Sequence, residues 1–350
     1  MEMSHILSPH YHVIKELGHG TFGKVLLAKE LDTGKSVALK ILRKDRTIPK
    51  MFFQELSISL DLSDYPGIIT THNSYIETSE HYIFTQELAI AGTLQSIIEA
   101  EVGIPEEMVK RCTLQLTGAL EYMHSRGLVH RDLKPDNVLL MDKECYQIKL
   151  SDFGLTQHAG TLISSMSHII PYMSPELCAL TPNEYLLLDT SIDIWAMGVL
   201  LYVILTGCFP WKEAAEHDPN YQMFASWQDN RHDSSVSASW GKFTIEAQDM
   251  FCKLLHQDPS SRSPVGVIFD YMHFPWNNID VCMEIIVVME EQENRGIEVT
   301  EEKQVVVVEG MSDIEFVFLD VTEEIPVSTH PIFMFLTETS MSLGAEVEIM

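Results

Sequence analysis

The sequence predicts an α+β chain of two lobes, a β-rich N-lobe and a helical C-lobe, followed by an acidic C-terminal tail. Three observations carry that prediction. Residues 11–42 alternate apolar and polar side chains around a glycine cluster, which is the period of strands. From about residue 106 the apolar residues recur at helical spacing instead. Residues 276–350 then hold 17 acidic and 2 basic side chains, a composition unlike the rest. The expected organisation is a short extension over 1–10, a two-lobed unit over 11–275 divided near residue 90, and a tail over 276–350. A chain of 350 residues is long enough to bury a sizeable core.

Each element has its own signal. YHVIKELGHGTFGKVLLAKE (11–30) reads as strand, glycine turn, strand. KSVALKIL (35–42) follows the turn signal LDTGK and reads as the next strand. Residues 51–62 switch to helical spacing, and HYIFTQELA (81–89) returns to a strand. PEEMVKRCTLQLTGALEYMHSRG opens with Pro105 and acids and closes on Gly127, a helix with both ends marked. AMGVLLYVIL (196–205) is too short to span a bilayer and reads as a buried helix.

Composition excludes several function classes. A formal charge of −28 argues against nucleic acid or an anionic membrane surface as partner. It is compatible with basic peptides, although solubility is the plainer use. The six cysteines make no CxxC pair, so neither a zinc site nor a disulfide framework is expected. Reduced thiols point to the cytoplasm, with the nucleus as alternative. The N-terminus MEMSHILSPHYH lacks a signal pattern, and Glu2 stands where myristoylation needs glycine. The 15 histidines include no HExxH or paired spacing and read as surface or core imidazoles, with His130 expected to brace its loop rather than do chemistry.

Four motifs carry chemistry. In GHGTFGKV (18–25), glycines let a hairpin bring its N–H groups close to phosphate oxygens. A dinucleotide fingerprint needs a helix straight after its glycines, whereas KVLLAKE continues as a strand. A glycine-rich flap over a nucleotide is the better reading, with Val25 over the base. VALK (37–40) places Lys40 on the next strand, and Glu55 on the following helix can hold it as a fixed cation for phosphates. Ala38 is small enough to leave room for adenine. HRDLKPDN (130–137) puts a carboxylate, a cation and an amide within eight residues. Asp132 can accept the proton of a hydroxyl, Lys134 can neutralise phosphoryl charge, and Asn137 can ligate Mg²⁺. In DFG (152–154), Asp152 would be the second metal ligand and Gly154 the flexible joint of the next loop.

In this order and spacing the four motifs resemble the eukaryotic protein kinase superfamily, over about residues 11–275. The resemblance implies the two-lobed protein kinase fold and ATP with Mg²⁺. It implies a nucleotide site from Leu17, Gly18, Gly20, Gly23, Val25, Ala38, Lys40, Glu87 and Ala89. Asp132, Lys134, Lys40 and Glu55 form the expected catalytic set, and Asn137 and Asp152 the metal set. Lys134 resembles the serine/threonine branch, which implies serine and threonine residues of protein substrates as acceptors. Ser174, Pro175 and Glu176 stand where kinases have Ala-Pro-Glu, with Glu176 expected to pair with Arg262. That pair shapes a peptide platform and disfavours a small-molecule kinase. Asp193 resembles the carboxylate that anchors the catalytic loop from a central helix. Arg131 is typical of kinases whose activation segment is ordered by an anion, and Thr161, Ser164, Ser165 and Ser167 are candidate phosphosites.

LGHGTFGKV, EVGIPEEMVKRC, DKEC, IPY and FPW narrow the resemblance to the SH3-binding-domain serine/threonine kinase family. No PxxP occurs in the chain, so SH3 binding is not carried over. Gln86 falls at the gatekeeper position, with Glu87 to Ala89 as hinge. Thr93 replaces an acid found in many arginine-directed kinases, so no strong arginine preference is expected.

Two features leave alternatives open. In SHIIPYMSPE (167–176), Ile169 replaces the usual threonine and His168 the preceding glycine. An active kinase therefore stands beside an ATP-binding pseudokinase or low-activity scaffold whose tail recruits partners. The tail runs EIIVVMEE, QVVVVEG, IEFVFLDVTEE and AEVEIM read as a β-meander, as disorder with sticky segments, or as strand-adding motifs like those that bind SUMO.

Overall fold

The computed structural model describes residues 7–164, 170–229 and 239–278, and the backbone strands 303–307 and 316–320. The chain falls into two units, 1–283 and 284–350.

The first lobe is an antiparallel sheet of β1 (Tyr11–His19), β2 (Gly23–Glu30), β3 (Ser36–Arg43), β4 (Thr71–Glu77) and β5 (His81–Glu87), in the order β1-β2-β3-β5-β4. The glycine turn falls between β1 and β2. It is fixed by close approach: a Cβ on Gly23 would lie 1.8 Å from the Ile41 carbonyl oxygen. Helix α1 (Pro49–Leu62) starts on Pro49, whose missing N–H costs nothing at that position. It buries Phe52, Glu55, Leu56, Ile58, Ser59 and Leu62, spaced as one helix face. Phe52 stacks on Tyr82 of β5 at 4.4 Å between ring centroids. Burying one such ring contributes about 1.5–3 kcal/mol. The packing matters for chemistry because it fixes where Glu55, one turn further on, meets the sheet.

The second lobe is built on α2 (Glu106–His124) and α4 (Ser191–Thr206), with α3 (Pro175–Cys178), α5 (Pro219–Asp229) and α6 (Ile245–Leu254) around them. Every residue of α4 is buried, as expected for a helix apolar on all sides. Its only charged residue is Asp193, in the first turn, where the helix dipole favours an anion. The helix stops at Gly207, whose φ of 66° a side chain would resist. Trp195, Trp211, Tyr221, Phe224 and Trp240 fill the core beside it.

Between α2 and α4 runs a series of short strands. β7 (Val138–Leu140) pairs antiparallel with β8 (Ile148–Leu150), so Asn137 before β7 lies beside Ser151 after β8. The Ser151 N–H donates to the Asn137 carbonyl at 2.9 Å. One small hairpin thus joins the loop 130–137 to the loop that starts at Asp152. β6 (Leu128–Val129) pairs with β9 (Gln157–His158), and β10 (Leu162–Ser164) with β11 (Tyr185–Leu187).

In the second unit, β12 (Lys303–Val307) pairs antiparallel with β13 (Phe316–Asp320), with Val305 opposite Phe318. These strands are KQVVV and FVFLD, paired with each other. Among the described residues no helix is long and apolar enough to cross a membrane. Cys112, Cys145, Cys178, Cys208 and Cys252 carry free thiols.

Candidate active site

The loop 130–137 is held from below. The buried Asp193 carboxylate accepts the N–H groups of His130 and Arg131, each at 2.8 Å, and meets His124 Nε2 at 2.9 Å. Burial alone would push this carboxyl up, and these donors hold it below the usual range. Arg131 is kept at φ 69°, a left-handed conformation that costs a non-glycine residue about 1–3 kcal/mol. His130 is fully buried, takes the Asp132 N–H on Nδ1 at 3.2 Å, and so donates from Nε2 to the Ser151 carbonyl at 3.1 Å. It braces the loop, as expected from the sequence.

The result is a fixed carboxylate. Asp132 is 8% exposed, and Lys134 Nζ donates to both of its oxygens at 2.9 Å. Asn137 Nδ2 donates to the Asp132 carbonyl at 2.7 Å and to Oδ2 at 2.9 Å. That use of the nitrogen leaves Asn137 Oδ1 as an acceptor with no donor among the described residues. Charge-assisted bonds of this kind are short and directional.

Opposite stands Lys40 on β3. Its Nζ donates to Glu55 Oε1 at 2.5 Å and to Asp152 Oδ1 at 2.8 Å. Burial would lower the ammonium, but the two carboxylates outweigh it and hold Lys40 above its usual value. Burial pushes Glu55 up. Burial also pushes Asp152 up, yet the Lys40 charge and hydrogen bond and the Gly154 N–H bring it down to about 2. Asp152 is the second non-glycine residue of the site with positive φ, at 65°. Its folded value lies below the unfolded value near 4, so ionised Asp152 adds stability above about pH 4, lost as pH falls towards about 2. Its side chain is 44% exposed, so water and salt screen much of this effect. The melting difference between wild type and Asp152→Asn is therefore expected to be small and to shrink between about pH 5 and pH 2. A difference that grows on acidification counts against this account.

The remaining predicted residues line the sheet. Val25 lies opposite Lys40, and Ala38 opposite Gln86, in the strand registers. Leu17 is exposed, and a Cβ on Gly18 or Gly20 would meet nothing within 4 Å, so the flap is open above. The Gly20 N–H is used on the Gly23 carbonyl at 2.8 Å, which leaves the N–H groups of Thr21 and Phe22 without backbone acceptors among the described residues. The Glu87 carboxylate accepts the Thr70 N–H at 2.7 Å and pairs with buried Lys149 at 2.8 Å. Any role of Glu87 in the hinge is therefore a backbone role. The Ala89 N–H has no backbone acceptor among the described residues. His124, Lys149 and Thr71, the partner of Gln86, are site-supporting residues that no motif signals.

Glu176 and Arg262 meet as expected, in two parallel bonds of 2.7 Å. Thr161 and Ser164 are exposed. Ser165, Ser167, His168 and Ile169 lie outside the described residues.

The donor set suits a magnesium nucleotide. Asn137 Oδ1 and the Asp152 carboxylate are hard oxygens, and Mg²⁺ takes one or two such ligands beside phosphates and water. No cluster of three or more His, Cys, Asp or Glu suited to a metal occurs among the described residues. A two-lobed chain with a paired lysine in one lobe and an aspartate–lysine–asparagine loop in the other has the build of a phosphotransferase. The model of the protein kinase domain matches residues 11–276, and the chain belongs to that family. The family as a whole uses ATP with Mg²⁺.

Known relatives agree with the narrower resemblance. The chain is 46% identical over 270 residues to the serine/threonine-protein kinase SBK1 of Danio rerio, covering 77% of this chain and 70% of that one. It is 44% identical over 266 residues to SBK1 of Mus musculus, covering 76% and 64%. It is 39% identical over 284 residues to the serine/threonine-protein kinase SBK2 of Homo sapiens, covering 81% and 82%.

Proposed function

We infer that the chain is an active serine/threonine protein kinase, moving the γ-phosphoryl group of ATP to hydroxyls of protein substrates. The observation that carries this is the Asp132–Lys134–Asn137 cluster facing a complete Lys40–Glu55–Asp152 set. Asp132 orients the incoming hydroxyl and takes its proton. Lys134, already on both Asp132 oxygens, lies where charge builds on the transferred group. Lys40, fixed by Glu55, offers a cation to the phosphates. Asn137 and Asp152 would hold Mg²⁺, which when bound neutralises phosphate charge. The flap N–H groups and the hinge backbone would seat the nucleotide.

The acceptor class rests on Lys134 and on the relatives, each named a serine/threonine-protein kinase. No charged position of the catalytic set is vacant, which favours the active kinase over a pseudokinase. The test is peptide-array phosphorylation by the purified chain beside Asp132→Asn. Signal on serine and threonine peptides that depends on Mg²⁺ and ATP supports the reading, and equal signal from the variant overturns it.

Ile169 bears on rate. The usual threonine hydroxyl bonds the catalytic aspartate and lysine, which isoleucine cannot do. One bond to a charged group contributes about 1.5–3 kcal/mol, or roughly 10- to 150-fold in rate if it falls wholly on the transition state. Ile169→Thr is expected to raise turnover by up to that factor. Unchanged or lower turnover would show that the segment is adapted to isoleucine.

A further inference from the structure

We propose that Cys112 and Cys145 form a site of oxidative modification, at which a hydroperoxide converts the two thiols into a disulfide that ties helix α2 to the β7–β8 hairpin. None of the four catalytic motifs contains either cysteine, although the stretches EVGIPEEMVKRC and DKEC each end on one of them. The proposal does not rest on the catalytic reading of the chain.

Hydrogen bonds on both sides of Cys112 set the thiols together. Arg111 Nε donates to the Glu144 carbonyl at 2.9 Å, and Gln115 Nε2 to the Cys145 carbonyl at 3.0 Å. Gln115 Oε1 in turn accepts the Ile148 N–H at 3.0 Å. Arg111 and Gln115 flank Cys112 on one helix, so they dock the turn between β7 and β8 around it. The Cys112 thiol hydrogen-bonds the Cys145 thiol, and both are buried in one apolar cluster. Water is nevertheless one residue away, because Glu144 and Tyr146 on either side of Cys145 are exposed. Cys145 itself has φ 60°, a left-handed conformation kept by a turn whose N–H groups at Glu144, Tyr146 and Gln147 donate to Asp142. A turn held by a few exposed hydrogen bonds opens locally without unfolding of the domain.

The two thiols are not equivalent. The hydrogen bond from Cys112 holds the Cys145 thiol below its ordinary value, against the effect of burial. The same bond, together with burial, pushes Cys112 up. The thiolate is the nucleophile, so Cys145 reacts first. Its sulfur attacks one peroxide oxygen, the O–O bond breaks, and the departing hydroxide takes up the proton that Cys145 released, leaving as water. The Cys112 sulfur then attacks the sulfenic sulfur of Cys145. The S–O bond breaks, and the hydroxide takes the Cys112 proton as a second water. Two thiols lose two electrons and two protons, and the peroxide is reduced to two waters. The new bond joins α2 to the hairpin beside whose two ends stand Asn137 and Asp152.

The test treats the full native chain with hydrogen peroxide, digests it without reduction and reads the peptides by mass spectrometry. Wild type is expected to give a peptide pair joined through Cys112 and Cys145 that dithiothreitol separates. Its Tm is expected to rise by about 4–12 °C on oxidation and to fall back on reduction, since the cross-link restricts the unfolded chain. Cys112→Ala removes the resolving thiol, so the sulfenic acid at Cys145 is expected to persist and be captured by dimedone. Cys145→Ala is expected to leave Cys112 unlabelled. Absence of the joined pair in wild type when the half-exposed Cys178 and Cys208 are already oxidised overturns the proposal, and so does a pair that forms only in urea. Dimedone on Cys112 in Cys145→Ala, with none on Cys145 in Cys112→Ala, overturns the order of reaction. A joined pair without a rise in Tm overturns the tie between helix and hairpin.

Discussion

Asp132→Asn is expected to lower phosphoryl transfer by about 10²- to 10⁴-fold, the contribution typical of a positioned base. The substitution is close to isosteric, and the loop around it keeps bonds that do not involve the side chain at 132. Asp193 still accepts the His130 and Arg131 N–H groups, and Asn137 still bonds the carbonyl of residue 132. What disappears is the anion. An amide cannot take the proton of the incoming hydroxyl, and Lys134 loses the negative charge and one of the two oxygens it holds at 2.9 Å. The cation that should meet the transferred group is then no longer fixed in place. Lys40, Glu55 and Asp152 are a separate cluster, so the nucleotide should bind as before. The loss should therefore fall on kcat with KM for ATP unchanged. A variant that keeps kcat and loses only nucleotide affinity would show that Asp132 holds the site together and does not take the proton.

The residues that make up this cluster were legible because phosphoryl transfer needs fixed residue types at short spacing. HRDLKPDN and DFG could be read without knowing that β7 and β8 bring them together. Helix α4 was legible because no charge interrupts AMGVLLYVIL. What escaped is support that comes from afar. His124 ends a helix and no local pattern marks it, yet it meets Asp193, 69 positions away. Lys149 lies in the short strand IKL with no motif around it, yet it is buried against Glu87. Thr71 starts a polar edge strand, THNSYIE, with too few apolar residues to show a period. β6, β9, β10 and β11 are two or three residues long, too short to show an alternation. In each case the identity follows from a partner that the local sequence does not contain.

Arg262 shows how large such remote support can be. Its side chain is fully buried, and it donates to both oxygens of Glu176, to the carbonyls of Ser191, His256 and Gln257, and stacks over Trp195 with 4.9 Å to the ring centroid. Three pieces of chain meet there: the segment after Ser174-Pro175, the start of α4 and the loop 256–262. Arg262→Ala would leave the Glu176 carboxylate, 14% exposed, without its cation, and would take one donor from each of three carbonyls. Breaking a buried pair from one side costs about 3–5 kcal/mol, since a lone charge remains in a poor solvent. In a domain of this size that corresponds to a fall in Tm of roughly 6–20 °C. Arg262→Lys should recover little, because an ammonium cannot span two carboxylate oxygens and three carbonyls at once. The double variant Glu176→Leu with Arg262→Met should be more stable than Arg262→Ala alone, since it buries no unpaired charge. Thermal melts of these variants decide the matter. If Arg262→Ala lowers Tm by no more than a surface substitution does, water reaches Glu176 and the pair is not what ties the platform to the core.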